Sequence, residues 1–191
     1  MGWSRGFEGS RADVFKDSSP KSIENGVYNS LRRLKLDVLP IFYIHWPDYN
    51  TPFERTFEVL NTLCDRQLIK SVGVSNFDAN ELLEAFSHAQ IKYVQVPANL
   101  IENSHLDSIA PLCIKNSARL VTYNVLSSGL LTGKFNGTEN FPKNDRRSRL
   151  SAFRGEEFAR NIQLVEELKK NACSRGQALH EYAVSQLMED R

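Results

Sequence analysis

Apolar residues recur along this chain in two alternating rhythms. Ser19-Pro20 marks a helix start, with serine as cap and proline in the first turn. Ile23, Val27, Leu31 and Leu34 then follow at helical spacing, weakened somewhat by Gly26. Ile41-Phe42-Tyr43-Ile44 is short and apolar with no polar alternation, the pattern of a strand covered on both faces. Thr51-Pro52-Phe53-Glu54 reads as a capping box opening a helix that turns Phe53, Phe57, Leu60 and Leu63 toward a core. The unit then recurs. Val72-Gly73-Val74 is a strand, Asp78 to Glu81 a second capping box, and Leu82, Leu83 and Phe86 a helical face. Tyr93-Val94-Gln95-Val96 is a strand, a helix starts near Ser104 and covers Leu106 to Ile114, and Leu120-Val121-Thr122-Tyr123 is a fourth strand. A long polar loop is expected over residues 127–155. Two helices close the chain: one carries Phe158, Ile162, Val165 and Leu168 and stops at Gly176, the other runs from Gln177 to Met188. Residues 1–18 are polar and carry Gly2, Gly6 and Gly9, so they read as a loop preceding a run of βα units over 19–191.

Strands alternating with helices at intervals of roughly 20–26 residues argue for parallel βαβ units with right-handed crossovers. Periodicity leaves a barrel and an open doubly wound sheet both possible. No Gly-x-Gly-x-x-Gly follows any strand, so the dinucleotide fingerprint of the open sheet is missing. The 191 residues can bury one core, yet they fall short of the about 250 that a complete (β/α)8 barrel takes.

Charge narrows the partners. Lys and Arg number 24 against 23 Asp and Glu, a net charge of +1, so no global field favours nucleic acid or an anionic membrane. A local basic cluster remains able to hold a phosphate. The three cysteines, Cys64, Cys113 and Cys173, are far apart and form no disulfide framework or metal motif, which points to a reducing, cytoplasmic setting. No apolar run approaches the roughly 20 residues of a membrane span. His88, His105 and His180 have no metal-ligand spacing.

Candidate chemistry lies just beyond the strands, where parallel α/β folds bind ligands. These positions hold His45, Ser75 with Asn76, Gln95 with Asn99, and Tyr123 with Asn124. Ser, Asn and Gln offer the donors and acceptors that an amide ligand needs, and Tyr123 offers a flat face. Each has a plainer alternative. His45 is either a core histidine bonded to backbone or a general acid or base. Ser75-Asn76 caps a turn or meets a ligand, Gln95 is a structural tether or a contact, and Tyr123 packs or stacks. In Leu126-Ser127-Ser128-Gly129-Leu130-Leu131-Thr132-Gly133-Lys134, the glycines permit close backbone approach and Lys134 either meets a phosphate or is solvated. The run Arg146-Arg147-Ser148-Arg149 is likewise a bidentate phosphate binder or an exposed loop.

These segments together resemble a known family. Tyr43-Ile44-His45-Trp46-Pro47-Asp48 is similar to the histidine-bearing strand end of aldo-keto reductases. Ile69-Lys70-Ser71-Val72-Gly73-Val74-Ser75-Asn76-Phe77 resembles their "GVSNF" segment, and Val94 to Leu100 their glutamine strand. Thr122 to Lys134 resembles the strand-seven and cofactor loop. Phe141 to Arg149 with Phe158-Ala159-Arg160-Asn161 resembles the bacterial-type branch. The match runs in order from about residue 19 to 188; the ordered set is far more specific than any one piece.

The resemblance implies a parallel (β/α)8 TIM-type barrel, of which four to five strands are recognisable, binding NADP(H) without a Rossmann domain. It implies that His45 orients or polarises a substrate aldehyde or ketone carbonyl. By the same route Ser75, Asn76 and Gln95 hold the carboxamide, Tyr123 stacks on the nicotinamide, and Asn124, Leu126 and Ser128 lie on the pyrophosphate side. Lys134 and Arg147 or Arg149 then stand near the cofactor phosphates. The family's tetrad is Asp, Tyr, Lys and His, and only the histidine is recognisable here. Lys16 lies in polar surroundings with no apolar run before it. Losing a general acid costs about 10²–10⁴ in rate, so weak or absent turnover is expected of the chain alone. The alternative is a non-catalytic, nucleotide-binding or regulatory barrel of the same family. Open barrel edges would favour self-association.

Overall fold

The structure, a computed structural model, describes residues 2–3 and 14–189. Much of the N-terminal segment that reads as a loop, residues 1 and 4–13, lies outside the described residues. Its flanks pair as a minimal antiparallel ladder, β1 (Gly2–Trp3) with β2 (Val14–Phe15). The remaining elements alternate. They are α1 (Pro20–Leu34), β3 (Phe42–Ile44), α2 (Phe53–Asp65), β4 (Val72–Ser75), α3 (Ala79–His88), β5 (Ile91–Pro97), α4 (Leu106–Lys115), β6 (Arg119–Tyr123), α5 (Gly155–Ser174) and α6 (Leu179–Glu189). Strands β3 to β6 form one sheet in sequence order, and β3 with β4 and β4 with β5 pair in parallel. Helices α1 to α4 pack neighbour against neighbour in sequence order.

Contacts divide the chain into two compact units: Met1–Val96 with His105–Val121, and Pro97–Ser104 with Thr122–Arg191. In the first, Ile44, Val72, Val74, Val94 and Val96 are buried, as are Val27, Leu60, Leu82 and Ile109 of the helices. Burying such side chains stabilises by about 1.5–3 kcal/mol each. The opposite sheet face is less closed. Tyr43 on that face is only half-buried, and so is Phe42 on the first face, because β3 is an edge strand among the described residues with a neighbour on one side. A strand covered on both faces was expected here.

Caps behave as local chemistry dictates, with one exception. Ser19 accepts from the Ser22 N–H ahead of Pro20, and Asp78 and Glu81 complete a reciprocal capping box. The expected box at Thr51 does not form. Its hydroxyl donates instead to Asp48 Oδ2 at 2.8 Å, and α2 starts at Phe53 with no side-chain cap. Asp48 is the stronger acceptor. It is 3% exposed and also takes the N–H groups of Ser18 and Asn50 at 2.9 and 3.0 Å. Burial raises its pKa, and these donors more than offset that, leaving it below the usual carboxylate range.

The second unit corrects the reading of 127–155 as a polar loop. Three 3-10 turns, Ser127–Thr132, Arg146–Arg149 and Ser151–Phe153, fold it over a core of its own. Leu130, Leu131, Phe135 and Phe153 are buried there with Phe158 and Val165 of α5 and Leu179 and Ala183 of α6. Phe135, Phe141 and Phe153 meet edge to face at 5.3 to 5.7 Å. The polar residues of this segment hid apolar ones spaced too irregularly for either rhythm to register.

Candidate functional site

Strand register gathers part of the expected site. Tyr43 pairs across to Gly73 and Gly73 to Tyr93, while Ser75 pairs to Gln95. Side chains alternate faces along a strand, so Tyr43, Gly73, Ser75, Tyr93 and Gln95 share one face. His45 lies one residue past the last β3 pair, Ile44 with Val74. The parallel pairing sets Ser75 level with Gln95, and His45 follows the end of the neighbouring strand.

Hydrogen bonds join them. Asn76 Nδ2 donates to the His45 carbonyl at 2.8 Å and to Ser75 Oγ at 3.1 Å, and Ser75 Oγ donates to Gln95 Oε1 at 3.4 Å. The Asn76 N–H donates to the Gln95 carbonyl at 3.1 Å. Asn76 adopts φ of 62°, a left-handed backbone that asparagine tolerates better than most residues. That turn brings its amide back over the strand end. Ser75 is buried, Gln95 half-buried and His45 exposed, so the cluster runs from sheet interior to solvent. Beneath it Gly73 makes room for the Tyr43 ring: a Cβ there would stand 2.5 Å from two ring carbons. Burial, then the neighbouring Tyr93, raises the Tyr43 phenol above its ordinary range. Beside β3 opens a cavity of about 310 Å³ lined by Tyr43, His45, Trp46, Ser22, Asn29 and Lys16. Lys16 does not lie in purely polar surroundings. Its Nζ sits 5.2 Å from the ring centres of Trp46 and of Tyr49.

Asn99 is put to a different use. Its side chain accepts from the N–H groups of Ile101 and Glu102, both at 2.9 Å, and it is buried as a turn former.

In the second unit Tyr123 ends β6 half-buried, and its carbonyl accepts from Ala98. Burial raises its phenol, with Arg146 acting in the opposite sense. Asn124, Ser127 and Ser128 follow with φ of 56°, 47° and 53°. Such a run of left-handed non-glycine residues costs of order 1 kcal/mol or more each and clusters at ligand sites. Asn124 Oδ1 holds the turn by accepting from the Ser128 N–H at 2.9 Å. The Leu126 carbonyl accepts from Gly129 and Leu131, and its side chain packs on the Leu130 core.

Phe135 then organises the basic residues. Lys134 Nζ lies 5.2 Å and Arg147 Cζ 5.5 Å from its ring centre, and Arg147 is also 4.6 Å from that of Phe141. Gly129 lies against the same ring, with a would-be Cβ 3.4 Å from it. Arg149 is not on this platform; it is exposed and donates to the Lys143 carbonyl at 3.3 Å. The structure thus separates the two arginines that sequence left equal. Sequence reasoning missed Asp145 and the phenylalanine platform; the Asp-x-Arg spacing was the available signal. Among the described residues no group of three His, Cys, Asp or Glu side chains is placed to hold a metal, and no helix is long and apolar enough to cross a membrane.

The sequence profile described as "Aldo/keto reductase family" matches residues 10–191. The chain belongs to the aldo/keto reductase family. Among relatives, the aldo-keto reductase YhdN of Bacillus subtilis is 32% identical over 177 residues, covering 92% of this chain and 54% of YhdN. The NADH-specific methylglyoxal reductase of Escherichia coli is 29% identical over 167 residues, covering 86% of this chain and 50% of that protein. The chain thus spans about half the length of the curated relatives it matches. Among solved structures, the glycerol dehydrogenase AKR11B4 from Gluconobacter oxydans superposes with a TM-score of 0.92 at 34% identity, covering 98% of this chain and 57% of that one. The parallel βα units of this aldo/keto reductase chain are accordingly part of a (β/α)8 barrel, as the sequence resemblance implied, and the open doubly wound sheet is set aside.

Proposed function

We propose that this chain carries the carboxamide-binding and carbonyl-polarising parts of an NADP(H)-dependent oxidoreductase acting on an aldehyde or ketone. The observation that supports it most is the Ser75–Asn76–Gln95 cluster, tied to the His45 carbonyl by Asn76. A nicotinamide carboxamide has one acceptor oxygen and one donor nitrogen. Gln95 Nε2 supplies a donor and Asn76 Oδ1 an acceptor, and Ser75 ties the two side chains together, so the residues fit the group. Tyr123 would stack on the ring, Asn124, Leu126 and Ser128 would meet the pyrophosphate side, and Lys134 with Arg147 would take phosphate charge. Arg149 is the weaker candidate.

When bound, the dinucleotide supplies or accepts the hydride at the carbonyl carbon. The residues of this chain do the rest. His45, exposed beside the cavity of about 310 Å³, donates a hydrogen bond to the carbonyl oxygen, on which negative charge builds during reduction. The Asn76 amide fixes the His45 backbone and so the direction of the imidazole. Trp46 beside it, with ring centres 6.5 Å apart, gives the cavity an apolar wall that sheds water from the carbonyl. Of the family tetrad these residues supply His45, so the chain alone turns over slowly, about 10²–10⁴ below a full acid–base set. No soluble partner beyond the small carbonyl substrate is required by this reading, and a cytoplasmic setting suits it.

The test is oxidation of NADPH and, in parallel, NADH by the purified chain with methylglyoxal or 4-nitrobenzaldehyde. Slow turnover, reduced a further tenfold or more in His45→Gln, supports the reading. Turnover untouched by His45→Gln would overturn the role of His45, and saturable binding with no turnover would favour the non-catalytic nucleotide-binding alternative.

A further inference from the structure

The Arg147 guanidinium, half-buried, is held on several sides. Nε donates to Asp145 Oδ1 at 3.0 Å and Oδ2 at 3.2 Å, and Nη2 donates to Oδ2 at 2.5 Å. The same carboxylate accepts the Arg147 N–H at 2.9 Å, capping the 3-10 turn Arg146–Arg149. The ring centres of Phe135 and Phe141 lie 5.5 and 4.6 Å from Cζ and confine the fork further. One edge of the guanidinium is therefore committed, while Nη1 has no partner among the described residues. Lys134 stands on the same Phe135 ring. Two cations therefore stand within 5.5 Å of one ring centre, and both draw an anion to this part of the fold.

We propose that Asp145 is a positioning residue for anion binding: it holds the Arg147 fork beside Phe135 and Phe141 so that Nη1, with Lys134 nearby on Phe135, receives a phosphate oxygen of the dinucleotide. This rests on the nucleotide-binding reading above and deepens it. It assigns no contact with the ligand to Asp145 itself. Its value is preorganisation: a flexible arginine must give up rotamer freedom on binding, and one already fixed does not.

The inference has a sign that plain electrostatics does not share. Removing a carboxylate near an anion site strengthens anion binding if only charge matters. If orientation matters more, removal weakens it. Asp145→Asn separates the two, because asparagine still accepts the Arg147 N–H and keeps the turn capped, yet no longer pairs ionically with the fork.

The experiment is calorimetric titration of the purified chain with inorganic pyrophosphate, and fluorescence titration with NADPH, for wild type, Asp145→Asn, Asp145→Glu and Arg147→Lys, with near-ultraviolet dichroism to confirm that each variant keeps its fold. Wild type is expected to bind both ligands. Asp145→Asn and Arg147→Lys should each weaken pyrophosphate binding about five- to tenfold, with Asp145→Glu recovering part of it. Affinity for dihydronicotinamide riboside, which carries no phosphate, should be unchanged in all. Equal or tighter pyrophosphate binding by Asp145→Asn overturns the inference whatever NADPH does. Pyrophosphate binding that weakens as expected in a chain that ignores NADPH leaves this anion site standing and overturns the dinucleotide reading. A wild type that binds neither overturns both.

Discussion

Gly73 is the position where one methyl group most directly tests the arrangement of the sheet face below His45. A Cβ built there meets Cδ1 and Cε1 of Tyr43 at 2.5 Å and Cζ at 3.0 Å, whereas ordinary contact begins at 3.4 Å. The Tyr43 ring must swing by about 1 Å or more. Tyr93 limits that swing, with its ring centre 6.5 Å away and tilted by 55°. Overpacking of this kind costs about 1–3 kcal/mol. Against it stands the gain of about 0.4–1 kcal/mol from stiffening the unfolded chain when glycine becomes alanine. The net for Gly73→Ala is about 1–2 kcal/mol of lost stability, or a fall in melting temperature of roughly 2–8 °C for a chain of this size. Urea unfolding of Gly73→Ala, Tyr43→Ala and the double variant forms a closed cycle. With the ring gone the new methyl fits, so the double variant should be more stable than the sum of the two single losses by about 1 kcal/mol or more. Additivity within about 0.5 kcal/mol, or a Gly73→Ala variant as stable as wild type, would refute the claim that Tyr43 lies over this glycine.

Other expectations follow from the same structure. Asn76→Ala should cost more stability than Asn76→Gly, since glycine tolerates φ of 62° and alanine does not, while both lose the bond to the His45 carbonyl; thermal melts decide the order. Asp48→Ala strands buried donors and should cost about 2–3 kcal/mol by urea unfolding. Because the Asp48 carboxyl is held below the usual carboxylate range, its contribution is complete above the unfolded carboxyl range and is lost as pH falls through the lower folded value, so the stability gap between wild type and variant should close in strong acid. Burial pushes the Cys113 thiol up to about 11, so it favours folding fully below the unfolded thiol range near pH 9 and ceases to as pH rises through 11. With a disulfide reagent near neutral pH, exposed Cys173 should react first and Cys113 last, read by peptide mapping.

Much of this architecture was legible in the chain because the informative segments are periodic. Ser19-Pro20 and Asp78 to Glu81 define helix starts by chemistry that acts within three residues, and both form as read. Thr51 failed because Asp48, three residues before it, takes its hydroxyl, and Asp48 is itself held by the N–H of Ser18 thirty residues away, a contact decided by tertiary folding. The half-buried β3 was unreadable for a related reason: an edge strand and a central one carry the same apolar run. The level of Ser75 with Gln95 rests on strand register, which pattern suggests only as a set of strand ends. The 127–155 segment was the largest loss. Leu130, Phe135, Phe141 and Phe153 follow neither period, and their core is built from 3-10 turns with left-handed residues between them. That core is what distinguishes Arg147 on its aromatic platform from exposed Arg149, a difference invisible in four neighbouring letters.

The account stands most directly on whether Gln95 meets a nicotinamide carboxamide. The decisive measurement is a titration of dihydronicotinamide fluorescence by the wild-type chain and by Gln95→Leu, with melting temperatures taken alongside. A saturable signal in wild type that weakens about tenfold or more in Gln95→Leu, at an unchanged or higher melting temperature, is the predicted result. Equal binding by the leucine variant, or no saturable binding by a folded wild type, would contradict it.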